Sequence, residues 1–137
     1  MSKPVTIDAS VFVNAFSSAE IGSDKSWDFI ASLKENNIQI IVPTLLLIEV
    51  AAAVSRKQNN TELALNLMIE IQHLPNITLI DIDDSLAESA AEIAATHLLR
   101  GSDAVYTAVA KRFATSLVTL GTEQLQRVKK VATVRKP

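Results

Sequence analysis

Val5-Thr6-Ile7-Asp8-Ala9-Ser10-Val11-Phe12-Val13-Asn14-Ala15-Phe16 begins as a buried strand and becomes a helix just after an acid. Val5 to Ile7 is a short β-branched, largely apolar run and is expected to be the first strand. Asp8 stands where that strand should stop. Ser10 follows as the expected N-cap of a helix reaching about Ser18. A strand leading through a carboxylate into a helix starts an α/β unit. In open α/β sheets, ligands bind beyond the carboxyl ends of the strands. Asp8 is therefore expected to face a site. Its neighbours Ile7, Ala9 and Val11 argue for partial burial, which is costly for a lone carboxylate unless it is paired or binds a cation. The plainer reading is a loop acid or a helix cap.

The rest of the chain repeats the alternation. Strands are expected at Gln39–Val42, Ile77–Ile80 and Ser116–Leu120, with Val131–Val134 as a candidate edge strand. A second helix, Asp24 to about Asn36, carries Trp27, Ile30 and Leu33 on one face. Pro43-Thr44 is expected to start a helix through about Lys57, since proline is tolerated in a first turn. Thr61–His73 should turn Leu63, Leu67, Met68 and Ile71 inward. Asp84 to about Leu99 has the stripe Leu86, Ala90, Ile93 and His97, with Ser85…Glu88 resembling a capping box. Asp103–Ala114 and Thr122–Lys130 complete the helices. Strands separated by helices call for a mainly parallel sheet covered on both faces, an α/β fold with right-handed crossovers.

With 137 residues, 48% of them apolar, the chain is expected to form one domain over its whole length rather than a disordered segment. It has no cysteine, which excludes a disulfide framework and a thiolate metal site. Met1-Ser2-Lys3-Pro4 lacks the pattern of a signal peptide, and a cytoplasmic location is expected. The longest apolar stretch, Ile38 to Val54, is interrupted by Pro43 and Glu49 and is short for a membrane span, so no membrane is expected. The net charge of −2 does not mark a nucleic-acid binder. Its distribution is more suggestive. Arg127, Lys129, Lys130, Arg135 and Lys136 crowd the C-terminal end, with Lys111 and Arg112 upstream. A solvated tail and a phosphate-contacting patch fit this equally.

Two further acids stand in settings like that of Asp8. Glu49 lies within Leu45-Leu46-Leu47-Ile48-Glu49-Val50-Ala51-Ala52-Ala53-Val54, a helix apolar all round and expected to be buried. An ion pair with Arg56 or Arg100 and a metal-ligand role suit it equally. Asp103 follows Gly101-Ser102 at a helix start. There the dipole favours an acid and keeps it in the ionised form that a hard cation needs. A strand end, a buried helix and a helix start are all expected at one edge of the sheet. Carboxylates without histidine or cysteine ligands suit Mg²⁺ or Mn²⁺ rather than zinc. His73 and His97 read as structural. Ser10, Ser102 and Thr119 can orient a ligand or simply cap.

The segments Ile7-Asp8-Ala9-Ser10…Asn14, Pro43…Ile48-Glu49-Val50, Gly101-Ser102-Asp103-Ala104-Val105-Tyr106…Ala110 and Leu117-Val118-Thr119-Leu120 follow in this order, and the match they carry spans essentially the whole chain. Their sequence resembles the PIN-domain nucleases, and within them the VapC-type toxins of toxin–antitoxin pairs. The resemblance implies a three-layer α/β/α sandwich with a parallel sheet in the order 3-2-1-4-5. It implies divalent-metal-dependent endoribonuclease activity, with Asp8, Glu49 and Asp103 as acidic metal ligands and Ser10, Asn14 and Thr119 as accessory polar positions. It further implies an RNA substrate, a homodimer and a cognate antitoxin. Arg100, Lys111 and Arg112 are candidates for holding the RNA backbone.

One departure from the family pattern stands out. Relatives often carry a fourth acid as Thr-x-Asp, whereas here the segment is Thr119-Leu120-Gly121. Glu123 lies two residues on and is a candidate substitute for that acid, but it is expected to point elsewhere if it belongs to the next helix. Gly121 motivates a second reading, a catalytically weak PIN-like module that binds RNA or a partner. A phosphate-handling α/β enzyme unrelated to nucleic acid is a third.

Overall fold

The computed structural model describes residues 3–137; Met1 and Ser2, part of the stretch read above for a leader, lie outside them. The chain runs β1 (Val5–Ile7), α1 (Ala9–Ala15), α2 (Ser23–Glu35), β2 (Ile40–Pro43), α3 (Leu45–Gln58), α4 (Thr61–Gln72) and β3 (Ile77–Ile80). It continues through α5 (Asp84–His97), α6 (Gly101–Phe113), β4 (Ser116–Val118), α7 (Thr122–Arg127) and β5 (Val134–Arg135). The five strands form one sheet in the order β3-β2-β1-β4-β5, every pair parallel. This is the α/β sandwich and strand order expected.

The chain moves outward from β1 to β3, then jumps back to β4. Right-handed crossovers therefore place α1–α4 on one face and α5–α6 on the other. Val5 and Ile7 pack with Ile40, Val42, Leu117 and Val118 at the centre of the core, where all six are buried. Helix α6 lies across β1, β2 and β4 and buries Ala104, Tyr106, Ala108, Val109 and Ala110. Its small residues let the helix sit close to the sheet. Among the described residues no helix is long and apolar enough to cross a membrane.

Several local expectations are corrected. Asp8, not Ser10, caps α1: its backbone is extended at φ −81°, ψ 170°, and its carboxylate accepts the Ser10 N–H. Asp83 likewise caps α5 through the Leu86 N–H, displacing the capping box expected from Ser85. Pro43 ends β2 instead of opening α3, where the missing N–H removes only a terminal ladder bond. Helix α3 is not buried all round. It turns Leu46, Val50 and Val54 inward and leaves Ile48 66% exposed. In α4 the inward residues are Ala64, Leu67 and Ile71, while Leu63 is exposed. The C-terminal segment is part of the fold, with β5 paired to β4 and the Arg135 guanidinium 5.4 Å from the Phe29 ring centre.

Candidate active site

The strand order reverses between β1 and β4, whose ends lie side by side with Ile7 opposite Val118. Such a switch point opens a crevice at the carboxyl edge of a parallel sheet. Asp8 sits there, its N–H bonded to the Val118 carbonyl at 3.1 Å and its side chain buried. One carboxylate oxygen, Oδ1, accepts the Ser10 N–H at 3.0 Å and the Ser10 hydroxyl. The other, Oδ2, accepts the Thr119 hydroxyl at 2.6 Å. Ser10 Oγ also accepts the Leu120 N–H at 3.1 Å, and Thr119 Oγ1 accepts the Gly121 N–H at 3.0 Å. Ser10 and Thr119 thus tie the end of β4 to the carboxylate that follows β1.

Gln124 extends this network. It is buried, with Oε1 2.8 Å from Thr119 Oγ1 and Nε2 left without a partner. The single hydroxyl proton of Thr119 cannot serve both Asp8 and Gln124 Oε1. Turning the amide over resolves this: Nε2 donates to Thr119, and Thr119 donates to Asp8. A chain of donors then runs from α7 to the carboxylate.

Asp103, in the first turn of α6, shares with Asp8 a cleft of about 370 Å³ whose lining includes Arg100, Gly121 and Glu123. Burial pushes the Asp8 carboxyl above its ordinary range, against the opposing pull of its bonds to Ser10 and Thr119, and the Glu49 charge adds to the rise. Burial also raises Asp103, as does the charge of Asp8; Arg100 pulls it back and Glu123 pushes it further up. Two carboxylates both hindered in ionising, Asp103 partly by the charge of Asp8, make a cleft suited to a cation.

Glu49 meets this site from α3. Its Oε1 accepts the Tyr106 hydroxyl at 2.6 Å. Burial first, then the bond to Glu49, holds the Tyr106 hydroxyl far above its usual pKa, so it remains a donor. The Glu49 carboxylate opens on an adjoining hollow, also about 370 Å³, and Ser10 borders both spaces. Among the described residues no three His, Cys, Asp or Glu side chains are gathered tightly enough to cage a metal ion. The all-oxygen donor set nevertheless fits Mg²⁺ or Mn²⁺. Such ions are commonly bound by one or two carboxylates, with water and substrate phosphate completing the shell.

The remaining candidates fall into two groups. Arg100 and Gly121 border the cleft. Asn14 is engaged elsewhere: its Oδ1 accepts the Ser26 hydroxyl at 2.7 Å and its Nδ2 donates to the Ile21 carbonyl at 3.1 Å, fastening the turn between α1 and α2. Lys111 and Arg112 occupy the last turn of α6, the opposite end from Asp103, and Arg112 donates to Ser85 Oγ at 3.0 Å. Glu123 does not point away as expected. Because α7 starts at Thr122, Glu123 falls in its first turn at the cleft wall, 3.2 Å from Arg127. Sequence reasoning missed Tyr106 and Gln124. Tyr106 had one signal, its place three residues after Asp103 on the same helix. Gln124, one polar residue in a short helix, had none.

A family model described as PIN domain matches residues 5–131. No curated protein matches significantly. Among solved structures, the chain is similar to VapBC2 from Rickettsia felis, bound to a promoter DNA fragment, at 16% identity and TM-score 0.71 over 97% of this chain and 98% of that one. It is similar to Mycobacterium tuberculosis VapC20, a Sarcin-Ricin loop cleaving toxin, at 14% identity and TM-score 0.75 over 88% and 92%. A toxin–antitoxin complex from Klebsiella pneumoniae gives 18% identity and TM-score 0.65 over 94% and 96%. At these identities each likeness is one of fold.

Proposed function

This chain belongs to the PIN domain family, and from that premise we propose that it is a divalent-metal-dependent endoribonuclease, the toxin component of a toxin–antitoxin pair. The observation that carries the reading is the meeting of Asp8 and Asp103 in one cleft at the switch point of the sheet. Asp8 and Asp103, with Glu49 as third acid, would hold Mg²⁺ or Mn²⁺. Bound there, the ion supplies positive charge against a phosphodiester oxygen and lowers the pKa of water toward neutrality. The chain's own residues prepare the site. Ser10 and Thr119 fix both oxygens of Asp8, Tyr106 fixes Glu49, and Arg100 offers a guanidinium to the phosphate.

The proposed partners are RNA, an antitoxin and a second copy of the chain. An apolar hollow of about 250 Å³ between α2 and α4 is lined by Phe16, Trp27, Ile30 and Leu74. It suits the apolar face of an antitoxin helix. Fold likeness to a toxin–antitoxin complex supports this partner. Light scattering at tens of micromolar should give a dimer; a strict monomer would remove that part of the reading.

Gly121 at the cleft wall favours the second reading, a PIN-like module that binds RNA or a partner without cutting efficiently. Thermal melting tests the metal site directly. Mg²⁺ or Mn²⁺ should raise the melting temperature of the parent by binding only the folded state, and Asp8→Asn should remove most of that shift. An equal shift in both proteins would defeat the site assignment.

A further inference from the structure

Apart from Glu49 and Ser10, the residues that line the hollow beside Glu49 have no role in the chemistry above. Its lining includes the apolar Ala9, Val13, Ile48 and Ala52 and the cationic Arg56 and Lys57. Lys57 is committed to Glu20 at 2.7 Å. Arg56 is exposed, and among the described residues it makes no salt bridge or side-chain hydrogen bond. Glu49 and Arg56 are seven residues apart on α3, two helical turns, and so project from the same face. Ala52 lies between them and leaves that face open. Ile48, two-thirds exposed, forms an apolar shelf at the rim.

Ser10 borders this hollow and the Asp8–Asp103 cleft, so the two spaces adjoin. Arg100 lines the cleft together with Asp8 and Asp103, and Arg56 lines the second hollow together with Glu49. A single phosphate bound at the acids would need only the first space. A polyanion continuing past the acids would use both.

We propose that the Arg56 hollow is a substrate subsite, which takes the nucleotide adjoining the scissile phosphate of a single-stranded RNA. Arg56 contacts the next backbone phosphate, and the Ile48–Ala52 shelf receives the base or ribose. A basic wall that tracks the backbone beside an apolar platform for the base is how single strands are held without sequence readout. The subsite rests on the ribonuclease reading and adds to it that the substrate runs across the acids, as internal cleavage requires.

The test uses the full chain carrying Asp8→Asn, so that bound RNA is not cut. Its affinity for a fluorescent single-stranded RNA of about 10 nucleotides is measured over a salt series. Adding Arg56→Gln should weaken binding roughly fivefold and reduce the slope of log K against log[salt] by about 0.7, the loss of one phosphate contact to a single strand. Ile48→Ser should weaken binding with no change of slope. Lys25→Gln, exposed in the first turn of α2, should leave both unchanged. These are surface positions, and circular dichroism checks that each variant folds. Unchanged affinity and slope in Arg56→Gln would overturn the subsite. So would intact RNA binding accompanied by loss of self-association, which would make the face a protein interface. Failure of the ribonuclease reading itself would show earlier, as absence of RNA binding before any subsite variant is compared.

Discussion

Gly121 has an ordinary backbone, φ −73° and ψ 118°, so no left-handed conformation demands glycine there. A Cβ would meet Thr119 Oγ1 at 3.5 Å and the side-chain amide of Gln124 at 3.6 Å, normal contact distances. Gly121→Asp should therefore fold like the parent. Placed at the cleft wall, the new carboxylate should tighten Mn²⁺ binding by roughly tenfold, or about 1.4 kcal/mol. Calorimetric titration of both proteins checks this, and equal affinities would mean that position 121 does not reach the ion. Asp8 and Asp103 carry a second expectation. Their folded pKa values lie above the unfolded value of 3.8. As pH rises, the unfolded chain releases these protons first. The two groups thus remove stability as pH climbs from about 4 through the raised folded values. Glu20, lowered by the Lys57 hydrogen bond, acts in the opposite sense: its contribution is present above 4.5 and is lost as pH falls through its folded value. It lies at the surface, so its effect is small. Urea melts of the metal-free protein, run from about pH 4 to neutrality, should show Asp8→Asn gaining on the parent as pH rises through the raised Asp8 value. A constant difference across that range would contradict the burial argument.

At the scale of elements, β1 to β4 were legible because each is a short, largely apolar run between polar breaks, whereas β5, expected at Val131–Val134, falls at Val134–Arg135. Helix starts were less legible. Asp8 competes with Ser10, and Asp83 with Ser85, and both members of each pair are good caps. The winner is the residue whose backbone stays extended on leaving the strand, a property of the turn and not of the side chain. Helix α3 was misread for a different reason. Its apolar residues surround the axis, yet Ile48 faces solvent beside the second hollow, where no other element covers it. One helix end offers a stability test. Ala114 closes α6 in the left-handed region at φ 52°, exposed, with its N–H bonded back to Ala110 and Lys111. Glycine adopts that conformation freely. Ala114→Gly should raise unfolding stability by about 0.5–1 kcal/mol, after the entropy it adds to the unfolded chain. Chemical denaturation measures it, and a loss of stability would mean that the Ala114 methyl makes a contact worth more than the strain.

For the whole molecule, each acid could be singled out from its local setting, but their meeting depends on strand order. Spacing along the chain does not say that β1 and β4 are neighbours; the resemblance supplied that order, and the sheet bears it out. Tyr106 and Gln124 escaped notice because their value lies in contacts across the fold, 57 residues to Glu49 in one case and through Thr119 to Asp8 in the other. Asn14 was carried by pattern alone and holds a turn. What the assembled molecule offers is one edge where acids, hydroxyls and a guanidinium converge. The most direct measurement is RNA cleavage by the purified protein, with Mg²⁺ or Mn²⁺ and with a chelator, beside well-folded Asp8→Asn and Asp103→Asn proteins prepared identically. The expected result is cleavage by the parent only when the metal is present, with either substitution lowering the rate at least about a hundredfold, some 2.7 kcal/mol of barrier. Cleavage by Asp8→Asn at the parent rate, or by the parent in chelator, would contradict a metal-dependent nuclease centred on these acids.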